Sequence, residues 1–256
     1  MELRNPLFKN LEKDSSYVDD NTSCATVHGT FGKTLILILV TIAAAIAAIA
    51  FLYSMINEPT DDKIGTFVIL LIVSVIVALV SGLIATFSVR LCPVFSFIYA
   101  ISEGFMLGVI SAFCDLAYPG VALVAVVLTF VVTFVMGILY FTGIIKVGRK
   151  FKAFILTAFI AIILSSIAIM IMDACGFRGI HELLDQGPLG WIIDIVIVII
   201  AALSLCIDFD YAARLADSQA EKKYEWKAAF CLTTSIIYLY LRILELLIRI
   251  AAASKK

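Results

Sequence analysis

Seven long apolar runs, broken by short polar punctuation, dominate the chain after a mixed polar start. They lie at 34–56, 65–89, 93–114, 118–143, 151–173, 189–210 and 228–252. Each is near the roughly 20 residues that a helix needs to cross hydrocarbon. The punctuation is Asn57-Glu58-Pro59-Thr60-Asp61-Asp62, then Arg90, Tyr118-Pro119-Gly120, and the segments 146–150, 176–190 and 214–227. These connections are too short to hold another domain. The pattern predicts an all-α membrane protein, a seven-transmembrane helix bundle over residues 33–256. Residues 1–32 read as a flexible polar tail, with no short apolar core of the kind that marks a secretory signal.

Lys and Arg alternate between the two sides of such a bundle. With the N-terminus cytoplasmic, thirteen fall inside, from Arg4 to Lys227, and four outside, namely Lys63, Arg178, Lys255 and Lys256. That bias predicts N-terminus in and C-terminus out. The outer connections then carry Glu58, Asp61, Asp62, Asp115, Asp173, Glu182 and Asp185. Such a rim would concentrate cations at a mouth, or be ordinary solvated loop.

Composition agrees with the pattern. Of 256 residues, 62% are hydrophobic and 15% charged, and mean hydropathy is +1.09. A soluble domain carries roughly 45–50% apolar and about 25% charged residues. The lipid bilayer is therefore the expected surrounding. Net charge is −1, which offers nucleic acid no basic face. Six scattered cysteines and two histidines give no zinc-ligand spacing, so no metal or cofactor is expected. Most cysteines read as small apolar fillers, with a Cys114–Cys175 disulfide the less favoured alternative. The segment His28-Gly-Thr-Phe-Gly-Lys-Thr34 lacks the first glycine of a phosphate loop, since Val27 stands there. No HExxH occurs, and no enzyme is expected.

Six ionisable groups sit where hydrocarbon disfavours charge: Glu103, Asp194, Asp208, Asp210, Arg242 and Glu245. A charge at mid-bilayer costs at least about 2.5–3.5 kcal/mol, so these groups should pair, meet water, or carry ions or protons. Cys231, Ser235, Tyr238, Arg242, Glu245 and Arg249 share one stripe of the last run, expected to face the bundle interior. Asp194 and Asp208 share a face of the sixth run about 21 Å apart, a candidate cation or proton route. Asp210 points elsewhere and has Arg214 four residues on as a local partner. Glu103 reads either as a carboxylate beside a pathway or as one neutralised by a proton or an arginine. Thr129, Thr133, Gly137 and Tyr140 form a stripe in the fourth run. Gly104 and Gly108 in the third would allow close helix contact, and packing is the expected role of both features.

Several segments resemble the Bax inhibitor family: Tyr118-Pro-Gly-Val-Ala-Leu-Val-Ala-Val-Val-Leu-Thr129, Gly143-Ile-Ile-Lys-Val-Gly148, Ser204-Leu-Cys-Ile-Asp-Phe-Asp210, Glu225-Trp-Lys-Ala-Ala-Phe230 and Ile237-Tyr-Leu-Tyr-Leu-Arg-Ile-Leu-Glu245. Asn5-Pro6 is similar to an element at the start of its bacterial members. The resemblance implies a bundle with one central helix in a bacterial plasma membrane, and a passive, pH-regulated calcium leak. It also implies a latch between two aspartates that share a proton. One matches Asp210, but the other falls on Arg242. Arginine stays charged and holds a carboxylate ionised. An Asp210–Arg242 latch would therefore be insensitive to pH, leaving Glu245, Asp208 or Glu103 to sense protons.

Three functions follow. The first is passive conduction of calcium or protons, gated by the intramembrane acidic and basic cluster. Scattered carboxylates suit transient passage of a hard cation and not its storage. The second is a non-conducting modulator of membrane proteases or stress responses, acting through protein contacts such as the N-terminal tail. A proton-coupled carrier is a third reading.

Overall fold

A computed structural model describes residues 24–57, 61–174 and 188–254. Most of the expected tail, Cys175, Glu58, Glu182 and Asp185, and the side chains of Asp61, Asp62 and Asp173, lie outside the described residues. Asp115 is thus the described part of the expected acidic rim.

Among the described residues, seven helices follow one another: α1 (Val27–Asn57), α2 (Asp61–Phe87), α3 (Cys92–Ala117), α4 (Val121–Phe141), α5 (Arg149–Ala174), α6 (Pro188–Asp217) and α7 (Lys223–Ser254). The first six are long and apolar enough to cross a membrane. Their outer faces expose large apolar side chains, among them Leu39 and Ile46, Ile69 and Leu79, Leu123 and Phe134, Ile163 and Leu164. So continuous an apolar surface requires hydrocarbon around it. The seventh helix is different in kind. It mixes Thr233, Thr234, Ser235, Tyr238 and Arg242 with leucine and isoleucine, and it packs against α1, α2, α3, α4 and α6. Wrapping by its neighbours keeps those polar groups from lipid. The central helix is therefore α7.

The core forms around that axis. Leu232, Leu239, Ile243 and Leu244 of α7 meet Ala201, Leu205 and Phe209 of α6 and Ala125 and Met136 of α4. A β-carbon on Gly104 or Gly108 would overlap the carbonyl oxygens of Thr41 and Ala45, so the two glycines let the α3 backbone lie directly on α1. Gly137 of α4 sits against the Phe209 ring. By contrast α5 packs chiefly on α6 and leaves most of its surface open.

Two boundaries depart from the hydropathy pattern. Helix α1 begins at Val27, within the segment expected to be flexible tail. One local and one long-range bond hold its start: the Gly29 amide donates to Thr26 Oγ1, and the Ala25 amide donates to the Ala220 carbonyl between α6 and α7. Helix α6 continues to Asp217, which places Asp208 and Asp210 two turns or more inside it.

Candidate functional site

Polar residues gather along the seam between α6 and α7 and at the end of the bundle where α7 begins. That basic end brings together the starts of α1, α5 and α7 with the end of α6. Asp210 Oδ2 lies 2.6 Å from Lys152 Nζ of α5 and accepts a hydrogen bond from Arg214 Nε at 2.7 Å. Lys152 thus ties α5 to α6, while Arg214 stays within its own helix. Behind this cluster, the Phe209 ring packs among Phe31, Tyr140 and Phe141. Those rings seal the basic end between α1, α4 and α6.

Across the same end stands Glu225, which is 1% exposed. It accepts a hydrogen bond from the Thr26 amide at 2.8 Å and another from Lys33 Nζ. Lys33 also stacks over the Trp226 ring, 5.1 Å from its centroid. A β-carbon on Gly29 would overlap the Glu225 carboxylate. Burial pushes the Glu225 carboxyl up, but Lys33 and the Thr26 donors outweigh it and hold it below its ordinary value. The start of α1 is thereby fastened to the start of α7.

Further along the seam, α6 and α7 run antiparallel. The Ser235 hydroxyl lies beside Asp208, and Arg249 Nε pairs with Asp194 Oδ2 at 2.9 Å. Both contacts have the same register. The expected acidic face of α6 therefore meets the polar stripe of α7, with Ala201 and Ser204 buried between the two acids. The two sites differ chemically. Asp194 has an arginine, whereas Asp208 Oδ2 is buried with no hydrogen-bond partner.

Arg242 is level with Ala201 in this register, about 14 Å along the axis from the level of Asp210. The structure does not bring Asp210 and Arg242 together. Arg242 Nη1 instead donates to Glu245 Oε2 at 2.7 Å and lies over the Tyr238 ring, 5.0 Å from its centroid. This pair lines a cavity of 370 Å³ between α3 and α7, with Ile110 and Cys114 opposite. The stripe was expected to face the interior with apolar residues opposite; it does meet α6 at Ser235 and Arg249, but the apolar side is enclosed as well. Leu232, Leu239 and Leu244 are almost fully enclosed, whereas the stripe residues from Cys231 to Arg249 are only partly buried and Glu245 is 53% exposed. A central helix has neighbours on several sides. Its leucines take the tight contacts, and its charges border a seam and a cavity.

Glu103 is half-buried on α3, one turn beyond Tyr99, whose ring meets Phe230 edge-on. It makes no ion pair with an arginine among the described residues. In the fourth helix Thr129 is buried and bonded to the Ala125 carbonyl, while Thr133 Oγ1 is buried without a partner. No group of three or more His, Cys, Asp or Glu among the described residues could hold a metal ion.

Sequence reasoning missed Lys152 as the partner of Asp210, and Lys33 with Glu225 as a tether. Lys33 and Glu225 are 192 positions apart, so no local periodicity links them. The weak signal was an acid directly before Trp226 and a glycine one turn before Lys33.

The six long apolar helices among the described residues, packed with a more polar one, define a multi-pass helical membrane protein. The chain belongs to the Bax inhibitor 1 like family, whose family model matches residues 5–252. No curated protein and no solved structure matched it.

Proposed function

We propose that the protein crosses the plasma membrane seven times, N-terminus inside, and passes cations passively along the α6–α7 seam, calcium being the principal one. Its role is conduction, without catalysis. The observation that carries this is Asp208: a buried carboxylate oxygen without a hydrogen-bond partner, on a seam where the other acid, Asp194, is held by Arg249. Carboxylate oxygens suit hard cations, and one such oxygen in a hydrocarbon-flanked seam is costly unless an ion, a proton or water visits it. The charge cluster of Asp210, Lys152 and Arg214 closes the basic end, and proton uptake at Asp208 or Glu103 regulates the path. Family membership supports the same reading.

The test is calcium flux into liposomes containing the purified full chain. Asp208→Asn should lower the flux at least tenfold while leaving the helical content unchanged. Equal flux in Asp208→Asn and the parent, or no flux from folded protein, would overturn the proposal.

A further inference from the structure

A second cavity, without any α6 residue, lies between α1, α3, α4 and α7. It has a volume of 490 Å³ and apolar walls that include Ile42, Ile46, Ile49, Val126, Phe130 and Ile237. The hydroxyls along its inner walls are already satisfied. Ser111 donates to the Leu107 carbonyl and bonds the Tyr240 hydroxyl at 2.6 Å. The hydroxyls of Thr41 and Thr129 donate to carbonyls of their own helices. A resident water needs two to four polar partners, and these walls offer it almost none. The cleft favours hydrocarbon.

Its shape and position say which hydrocarbon. Along α1 the lining runs from Ile38 to Tyr53, about 22 Å of helix axis, most of the roughly 30 Å thickness of a bilayer core. Its rim residues Ile46, Leu123 and Phe130 are exposed on the lipid-facing surface, so the cleft opens sideways into the membrane. At the end away from the basic cluster, Tyr53 and Asp115 form its mouth, a tyrosine at headgroup level being the common interfacial arrangement. Asp115 Oδ1 accepts from the Gly120 amide at 2.6 Å, which leaves its second oxygen for an ammonium group.

We infer that this cleft holds one acyl chain of a phospholipid with a primary-amine headgroup, the chain lying along α1 and α4 and the ammonium resting at Asp115. The inference is independent of conduction, because the cleft and the seam share no α6 residue.

The experiment is native mass spectrometry of the full chain released from nanodiscs of equal phosphatidylethanolamine and phosphatidylglycerol. One phosphatidylethanolamine should stay bound. Ala122→Phe, which fills the cleft near its mouth, should lose it. Asp115→Asn should keep a lipid but reduce the preference for the amine headgroup by roughly two- to fivefold, the range of a partly exposed ion pair. A second measurement does not depend on these variants folding. Emission from Ile46→Trp, carrying also Trp191→Phe and Trp226→Phe, should be quenched more by brominated phosphatidylethanolamine than by brominated phosphatidylglycerol. Emission from Leu79→Trp, on the outer face of α2, should be quenched equally by both. Equal quenching by the two lipids at Ile46, unchanged retention in Ala122→Phe, or a second copy of the chain seated in the cleft would each overturn the proposal.

Discussion

Asp210 on α6 and Lys152 on α5 meet at 2.6 Å, and this contact joins two helices, whereas the second cation on the same oxygen, Arg214, belongs to α6 itself. Helix α5 packs chiefly on α6, so the pair is a principal tie at its basic end. Lys152→Met should loosen that end and raise calcium flux in liposomes several-fold. Arg214→Met should change flux less than twofold, because Arg214 is 63% exposed and exposed i,i+4 pairs contribute only about 0.3–0.5 kcal/mol. Equal effects of the two substitutions would contradict this division.

The Lys33–Glu225 tether sets a pH dependence whose sign follows from its chemistry. The Glu225 carboxyl is held below its ordinary value in the folded protein, after Lys33 and Thr26 outweigh the opposing effect of burial. Its stabilising contribution is therefore complete above the unfolded value of about 4.3 and is lost as pH falls through the lower folded value. Trp226 emission, recorded with Trp191 replaced by phenylalanine, should stay constant from pH 8 to 5 and change only below about 4. A transition centred near pH 6–7 would show that another group controls the tether.

Removing one member of that pair leaves the other enclosed without its partner, a change that costs about 3 kcal/mol or more. Glu225→Ala should lower the thermal midpoint in detergent by several degrees. Gly29→Ala should destabilise the parent through overlap with the same carboxylate, yet cost much less when Glu225 is already alanine, since contacting residues are not additive. Additive losses in the double variant would remove the proposed contact.

Asp210 and Arg242 should behave as independent sites. Arg242 bonds Glu245, and the α6–α7 register sets it about 14 Å along the axis from Asp210. The stability changes of Asp210→Asn and Arg242→Ala should add to within roughly 0.5 kcal/mol. A larger coupling energy from a double-mutant cycle would mean that the two residues meet in a populated state.

Gly108→Leu should prevent folding or strip α1 from α3, because the Ala45 backbone occupies the space a side chain needs. Loss of monodisperse protein in mild detergent is the expected readout. Gly65→Leu is the control, since no atom lies near a β-carbon there.

By itself the sequence determined the apolar helices, the membrane as their solvent, and the residues that hydrocarbon could not leave bare. Hydropathy and helical period are local properties, and each is written within about twenty consecutive positions. Spacing also placed Asp194 and Asp208 on one face of α6 and Arg214 beside Asp210, because both relations lie within one helix. The long-range pairings were decided by tertiary structure: Asp210 with Lys152, Glu225 with Lys33, and Asp194 with Arg249. Each pairing depends on which helix lies next to which and at what register, and a charge many positions away leaves no periodic trace in either segment. The same holds for the face of α7. Its polar stripe was visible from spacing, but only the surrounding helices fixed the leucines in the tight contacts and the charges beside a seam and a cavity.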